Sequence, residues 1–136
     1  MMSRKMLVAA AVAFALLTAG LTGVAAGELS GTWTKKSFAV KGGFKFVEEE
    51  GRTFLVLDEQ FSTRRAPDLK LFLTNRPLSE ATGRNAAKDA VLIAKLKKNK
   101  GAQRYPLPAG VSLADYSTLL LHCEQYSKLW AGSSLH

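Results

Sequence analysis

Apart from its first residues, the chain has no stretch that keeps apolar side chains at helical spacing, and its hydrophobic residues instead recur every second position in short runs. Phe44 and Phe46 flank Lys45. In Arg52–Phe61, Phe54 and Val56 line one face while Leu55 and Leu57 line the other. After Pro67, Leu69, Leu71 and Leu73 share a face opposite Lys70, Phe72 and Thr74. Successive side chains of a strand point to opposite faces, so this period of two marks half-buried antiparallel strands. Turn signals interrupt the runs about every eight to twelve residues, at Gly42-Gly43, Glu48–Gly51, Lys97–Gly101 and Pro106–Pro108. The expected fold is all-β, an antiparallel β-sandwich or small barrel in a single domain.

Four segments carry less regular signals. Pro77–Asp89 is polar and small, and reads as a loop that can hold a helical turn around Ala86 to Lys88. Ala90–Leu96 is strongly apolar and reads as a strand, although a short buried helix has the same pattern, and Ser117–Tyr126 reads as the last long strand. Between them Ser112-Leu113-Ala114-Asp115-Tyr116 reads as a compact turn or short helix, with Ser112 as its N-cap.

The first residues follow a different rule. Arg4 and Lys5 precede an apolar run from Met6 to Leu17, and Val24-Ala25-Ala26 supplies small residues beyond it. This is the layout of a secretory signal, residues 1–26, cleaved after Ala26. A retained anchor is the rival reading, but the apolar run is shorter than the roughly 20 residues that span a bilayer. The mature domain is then residues 27–136, exported to a periplasmic or extracellular space. The whole chain carries a formal charge of +8, and loss of Arg4 and Lys5 leaves +6. That balance suits anionic surfaces or an acidic protein partner. Export argues against nucleic acid.

Export also makes Cys123, the single cysteine, worth weighing. An unpaired thiol in an oxidising compartment risks intermolecular pairing or overoxidation. Its neighbour His122 cannot activate it, because adjacent strand residues point apart. The only other histidine is His136, so no metal-ligand cluster is visible, and neither CxxC nor CxxCH occurs. Two readings of Cys123 remain open, a small hydrophobe of the core and a functional thiol. No acid–base or nucleophile constellation signals an enzyme. Asp68, after Pro67, reads as a turn carboxylate bonding backbone amides. Lys97, Lys98 and Lys100, with Lys95, form either a solvated turn or a dock for an anionic partner.

In order, Ser30-Gly31, Gly42-Gly43, Phe54–Leu57 with Phe61, and Pro67-Asp68-Leu69 are followed by Leu96, Gly101-x-Gln103-x-Tyr105, Pro108, Tyr116 and Cys123. This ordered set resembles the DM-thirteen domain family, the electron-transfer DM domain, over about Leu29 to Leu135. The resemblance implies an extracytoplasmic module, found alone or joined to DOMON and cytochrome b-type domains. It also implies an electron-transfer role, with the near-terminal cysteine, here Cys123, as a redox or cofactor-binding residue, and haem as the candidate cofactor. The pattern departs at Ala66, where the family has Gly. The first functional expectation is therefore an exported redox accessory acting through Cys123 beside a membrane-associated redox protein. The alternative is a non-catalytic β-sandwich that binds an anionic surface or membrane protein through Lys97, Lys98 and Lys100.

Overall fold

The computed structural model describes residues 29–136. The expected signal peptide, residues 1–26, lies outside them. Among the described residues the chain forms nine strands, which we number β1 (Leu29–Thr32), β2 (Thr34–Lys35), β3 (Gly43–Glu49), β4 (Arg52–Leu57), β5 (Leu69–Thr74), β6 (Val91–Lys95), β7 (Gln103–Pro106), β8 (Thr118–Cys123) and β9 (Lys128–Ser134). Two short 3-10 turns, Leu78–Glu80 and Leu113–Asp115, are the only helical elements among the described residues.

The strands build two sheets. One has five strands in the order β2-β9-β8-β5-β6, and the other has four in the order β1-β3-β4-β7. Every pairing is antiparallel. The four-stranded sheet turns Phe44, Phe46, Leu55, Leu57 and Tyr105 toward the middle, and the five-stranded sheet meets them with Leu69, Leu71, Leu73, Leu119, Leu121 and Cys123. This is the sandwich that the period of two implied. Each fully buried leucine or phenylalanine here contributes roughly 1.5–3 kcal/mol, so both inner faces are needed to hold so small a domain.

The outer faces differ. Segment 78–90 lies against the outside of the five-stranded sheet, where Ala81 and Ala86 pack with Phe72, Leu120 and Leu129, and Leu78, Ala87 and Ala90 close the edge. All six residues of β8 are therefore buried, which is why three leucines run consecutively through it and no apolar–polar alternation appears. The close fit depends on Gly83. A Cβ there would come within 1.9 Å of the Ser127 carbonyl oxygen.

Pro77–Asp89 is the loop expected. It holds a 3-10 turn at Leu78–Glu80 and hydrogen-bonded turns from Ala86 N–H to Thr82 and from Lys88 N–H to Asn85. The charged turn is tighter than Glu48–Gly51. Strand β3 runs to Glu49, and Glu50 and Gly51 alone make the hairpin, at φ 52° and 81°. Two positive φ values match the twist of the strands they join.

Two expectations need correction. The last long strand does not run to Tyr126. Strand β8 ends at Cys123, Glu124–Ser127 form a turn with Ser127 at φ 49°, and β9 returns beside β8. The polar run Glu124-Gln125-Tyr126-Ser127 cannot share the burial of β8, so it turns in solvent. Ser112 does precede the 3-10 turn at Leu113, but its side chain makes no capping hydrogen bond.

Candidate functional site

Cys123 ends the central strand of the five-stranded sheet. Its cross-strand partners are Leu69 on β5 and Lys128 on β9. The side chain faces the interior with Leu119 and Leu121, and its exposure is 0%. A thiol so placed is a packing group until something moves, since buried structural cysteines are inert.

His122 lies on the opposite face, as the strand geometry requires. Its exposure is 2%. The ring meets Phe72 edge-on at 6.1 Å, and its Nδ1 atom has no hydrogen-bond partner. Burial pushes the imidazole pKa below its ordinary value of 6.5; Glu124, the Lys128 carbonyl and Asp68 oppose that shift, and Lys70 adds to it. His122 therefore neither activates Cys123 nor shares a ligand with it.

Haem, which the resemblance implied, finds no seat around these two residues. The sulfur is enclosed by leucines of the core, and the imidazole sits beyond the same strand. No three His, Cys, Asp or Glu side chains come together as a metal site among the described residues.

The basic residues are arranged differently. The chain from Arg65 to Leu69 and the chain from Lys95 to Asn99 face each other across a cleft of about 320 Å³. Arg65, Lys95, Lys97 and Lys98 carry four positive charges around it, all on exposed residues. Ala66, Pro67, Leu69 and Leu96 give it apolar walls. Lys100, grouped with Lys97 and Lys98 in the sequence reading, does not line the cleft. It bridges to Ser62 instead.

Buried polar side chains hold this basic loop in shape. The Tyr105 hydroxyl accepts the Lys97 N–H at 2.8 Å and donates to Gln103 Oε1. Gln103 accepts the Lys98 N–H at 3.3 Å, and its amide donates to the Lys98 and Gly101 carbonyls at 3.0 Å each. The Lys97 ammonium lies 5.3 Å from the centre of the Tyr105 ring. Burial raises the Tyr105 pKa, and the Lys97 N–H opposes that rise. At the end of the same wall, Asn99 donates to the Thr63 carbonyl at 2.9 Å, and the Thr63 N–H donates back to the Asn99 carbonyl at 3.0 Å, which ties the lysine segment to the stretch leading into Arg65. The lysine side of the cleft is thus fixed by bonds that a flexible turn would lack.

Asp68 works as a turn carboxylate, but on a turn far away in sequence. Its Oδ2 accepts the Gln125 N–H at 2.9 Å, and its carbonyl accepts the Glu124 N–H at 3.2 Å. It also pairs with Lys70 at 3.5 Å and Lys95 at 3.8 Å. Pro67-Asp68-Leu69 therefore does two things. Asp68 ties down the β8–β9 hairpin, and Leu69 stands between the cleft and the strand end that holds Cys123.

Gln103 and Tyr105 enter the sequence reading only as members of the family-like pattern, and their part in shaping the lysine loop emerges from the fold. Their spacing was the available signal, because both alternate inward from β7 and are polar where an apolar residue is expected.

The searches of curated proteins and of solved structures returned no match. The family model described as Electron transfer DM13 matches residues 32–131, from the last residue of β1 to the middle of β9, and takes in both walls of the cleft and Cys123. With that match over most of its length, the chain belongs to the Electron transfer DM13 family.

Proposed function

We propose that this member of an electron-transfer family is an exported accessory that docks on an acidic face of a membrane-associated redox protein, through Lys97, Lys98 and Lys100 together with Lys95 and Arg65. The observation that carries the reading is the buried Gln103–Tyr105 network behind the loop. Exposed lysines on a loose turn bind weakly, because ordering them costs side-chain entropy. A loop already fixed by its own hydrogen bonds avoids the backbone share of that cost. Charge complementarity of this kind speeds encounter and loses strength with salt.

The test is the rate of cytochrome reduction in membranes of the native host, with and without the purified domain. A rate increase at low salt, abolished at high salt and in the Lys97→Gln/Lys98→Gln/Lys100→Gln variant, supports docking. No effect of the domain at low salt refutes it.

A second reading keeps Cys123 as the redox group. It is favoured by Leu69, which lines the cleft and is also the strand neighbour of Cys123. This reading requires Leu69 to move aside and expose the sulfur. An absorption band or added mass in protein isolated from its native compartment, lost in Cys123→Ala, supports this role. Colourless protein of unmodified mass, with a thiol that reacts only after unfolding, removes it.

A further inference from the structure

The basic cleft has a feature that charge docking alone does not use. Four cations surround apolar walls made by Ala66, Leu69 and Leu96, with Pro67 at the lip. Resting on the docking reading above, we infer that the cleft seats an acidic peptide segment of the partner protein, with one apolar side chain inserted between the carboxylates that meet the rim.

The chemistry of the walls narrows the occupant. Lys98 and Arg65 make no ion pair among the described residues, and Lys95 reaches only Asp68, which Lys70 and the Gln125 amide already share. Rim charge is therefore left for a ligand. An inorganic anion satisfies that charge but leaves the apolar walls wet. A membrane surface meets the lysine tips but cannot follow the chain into a concavity. A second copy of this chain offers carboxylates at Glu48–Glu50, but on a tight hairpin already paired to β4 rather than as an extended segment. An extended acidic segment with one aliphatic residue meets both requirements, and about 320 Å³ has room for one such side chain rather than a folded element. Because the lysine wall is fixed by the Tyr105–Gln103 and Asn99–Thr63 hydrogen bonds, little of its ordering is left to the moment of binding.

The test uses the full exported chain and three fluorescein-labelled peptides, Glu-Glu-Leu-Glu-Glu, its glycine-centred form, and the form with every Glu replaced by Gln. Binding is read by fluorescence anisotropy at low and high salt. The expected result is that the leucine-centred acidic peptide binds about tenfold more tightly than either control. That preference disappears in Ala66→Leu, which fills the cleft, and binding falls in Arg65→Gln/Lys98→Gln. The remote variant Lys45→Gln/Lys88→Gln leaves it unchanged, and melting curves confirm that each variant is folded.

If the leucine and glycine peptides bind equally and Ala66→Leu has no effect, while Arg65→Gln/Lys98→Gln still weakens both, the seat is refuted and charge docking stands. If no peptide responds to the cleft cations, the seat and the docking reading both fall. Displacement of the leucine peptide by inorganic phosphate or by anionic phosphatidylglycerol vesicles, at the same charge concentration and equally well, also overturns the seat.

Discussion

Replacing Tyr105 with Phe isolates the hydrogen bonds that hold the basic loop. The ring is 1% exposed and packs in the central core, so keeping it leaves the apolar burial unchanged. Only the hydroxyl is lost. The Lys97 N–H then has no acceptor, and Gln103 Oε1 keeps only the longer bond from Lys98. A buried donor left without a partner costs about 1–3 kcal/mol. Solvent can reach Lys97, which is exposed, so the lower half of that range applies, about 1–2 kcal/mol. For a domain of this size, each kcal/mol lowers the melting temperature by roughly 4–8 °C. Urea denaturation measures the loss, and hydrogen exchange at the Lys97 and Lys98 amides shows where it falls. Tyr105→Phe should speed exchange at these two amides well beyond its effect in the β5–β8 pair, and should weaken binding at the cleft. Unchanged stability with unchanged exchange at Lys97 would refute the claim that the hydroxyl shapes the loop.

Three further outcomes follow from the fold. Cys123→Ser should be less stable than Cys123→Ala by about 1–3 kcal/mol, because it places a hydroxyl among leucines that offer no partner; equal melting temperatures would show that the site is wetter than described. Gly83→Ala should destabilise by about 1–3 kcal/mol, as expected of an overpacked contact, because the added methyl collides with the Ser127 carbonyl; a wild-type urea midpoint would refute the close approach. His122, neutral and buried, has its pKa lowered by folding, so the unfolded chain takes up the proton first. The stability it contributes is complete above the unfolded value near 6.5 and is lost as pH falls from there toward the folded value. The slope is at most about 1.4 kcal/mol per pH unit for one proton. His122→Phe should flatten the stability profile in that window, where Asp68, Glu124 and Lys70 are the charged neighbours; an unchanged profile counts against the assignment.

The sandwich was legible because Phe44/Phe46, Leu55/Leu57 and Leu69/Leu71/Leu73 alternate cleanly, and alternation is the direct signature of a sheet with one buried face. Strand β9 was not legible, for two reasons. Ala131, Gly132 and Ser133 are too small to declare a face, and the register against β8 shifts between Leu129 and Ala131, so Trp130 breaks the period. The roofing of the five-stranded sheet by residues 78–90 was equally hidden, since it rests on alanines and on a glycine chosen for closeness rather than hydrophobicity. At the candidate site the lysine cluster was visible as charge. The cleft beside it was not, because Arg65–Leu69 and Lys95–Asn99 meet only through the pairing of β5 with β6. The burial of Cys123 could be read either way until β5 and β9 were in place around it.

The five-stranded sheet draws its middle strand from residues 118–123, late in the chain, and that strand must find partners at 69–74 and 128–134. Contacts this distant along the chain are slow to form. Until they do, Leu69, Leu71, Leu73 and Phe72 lie on a hairpin with an open side, a surface prone to stick to other chains. During synthesis, the β5–β6 hairpin therefore has to be kept from unwanted company until the final hairpin arrives to close the sheet.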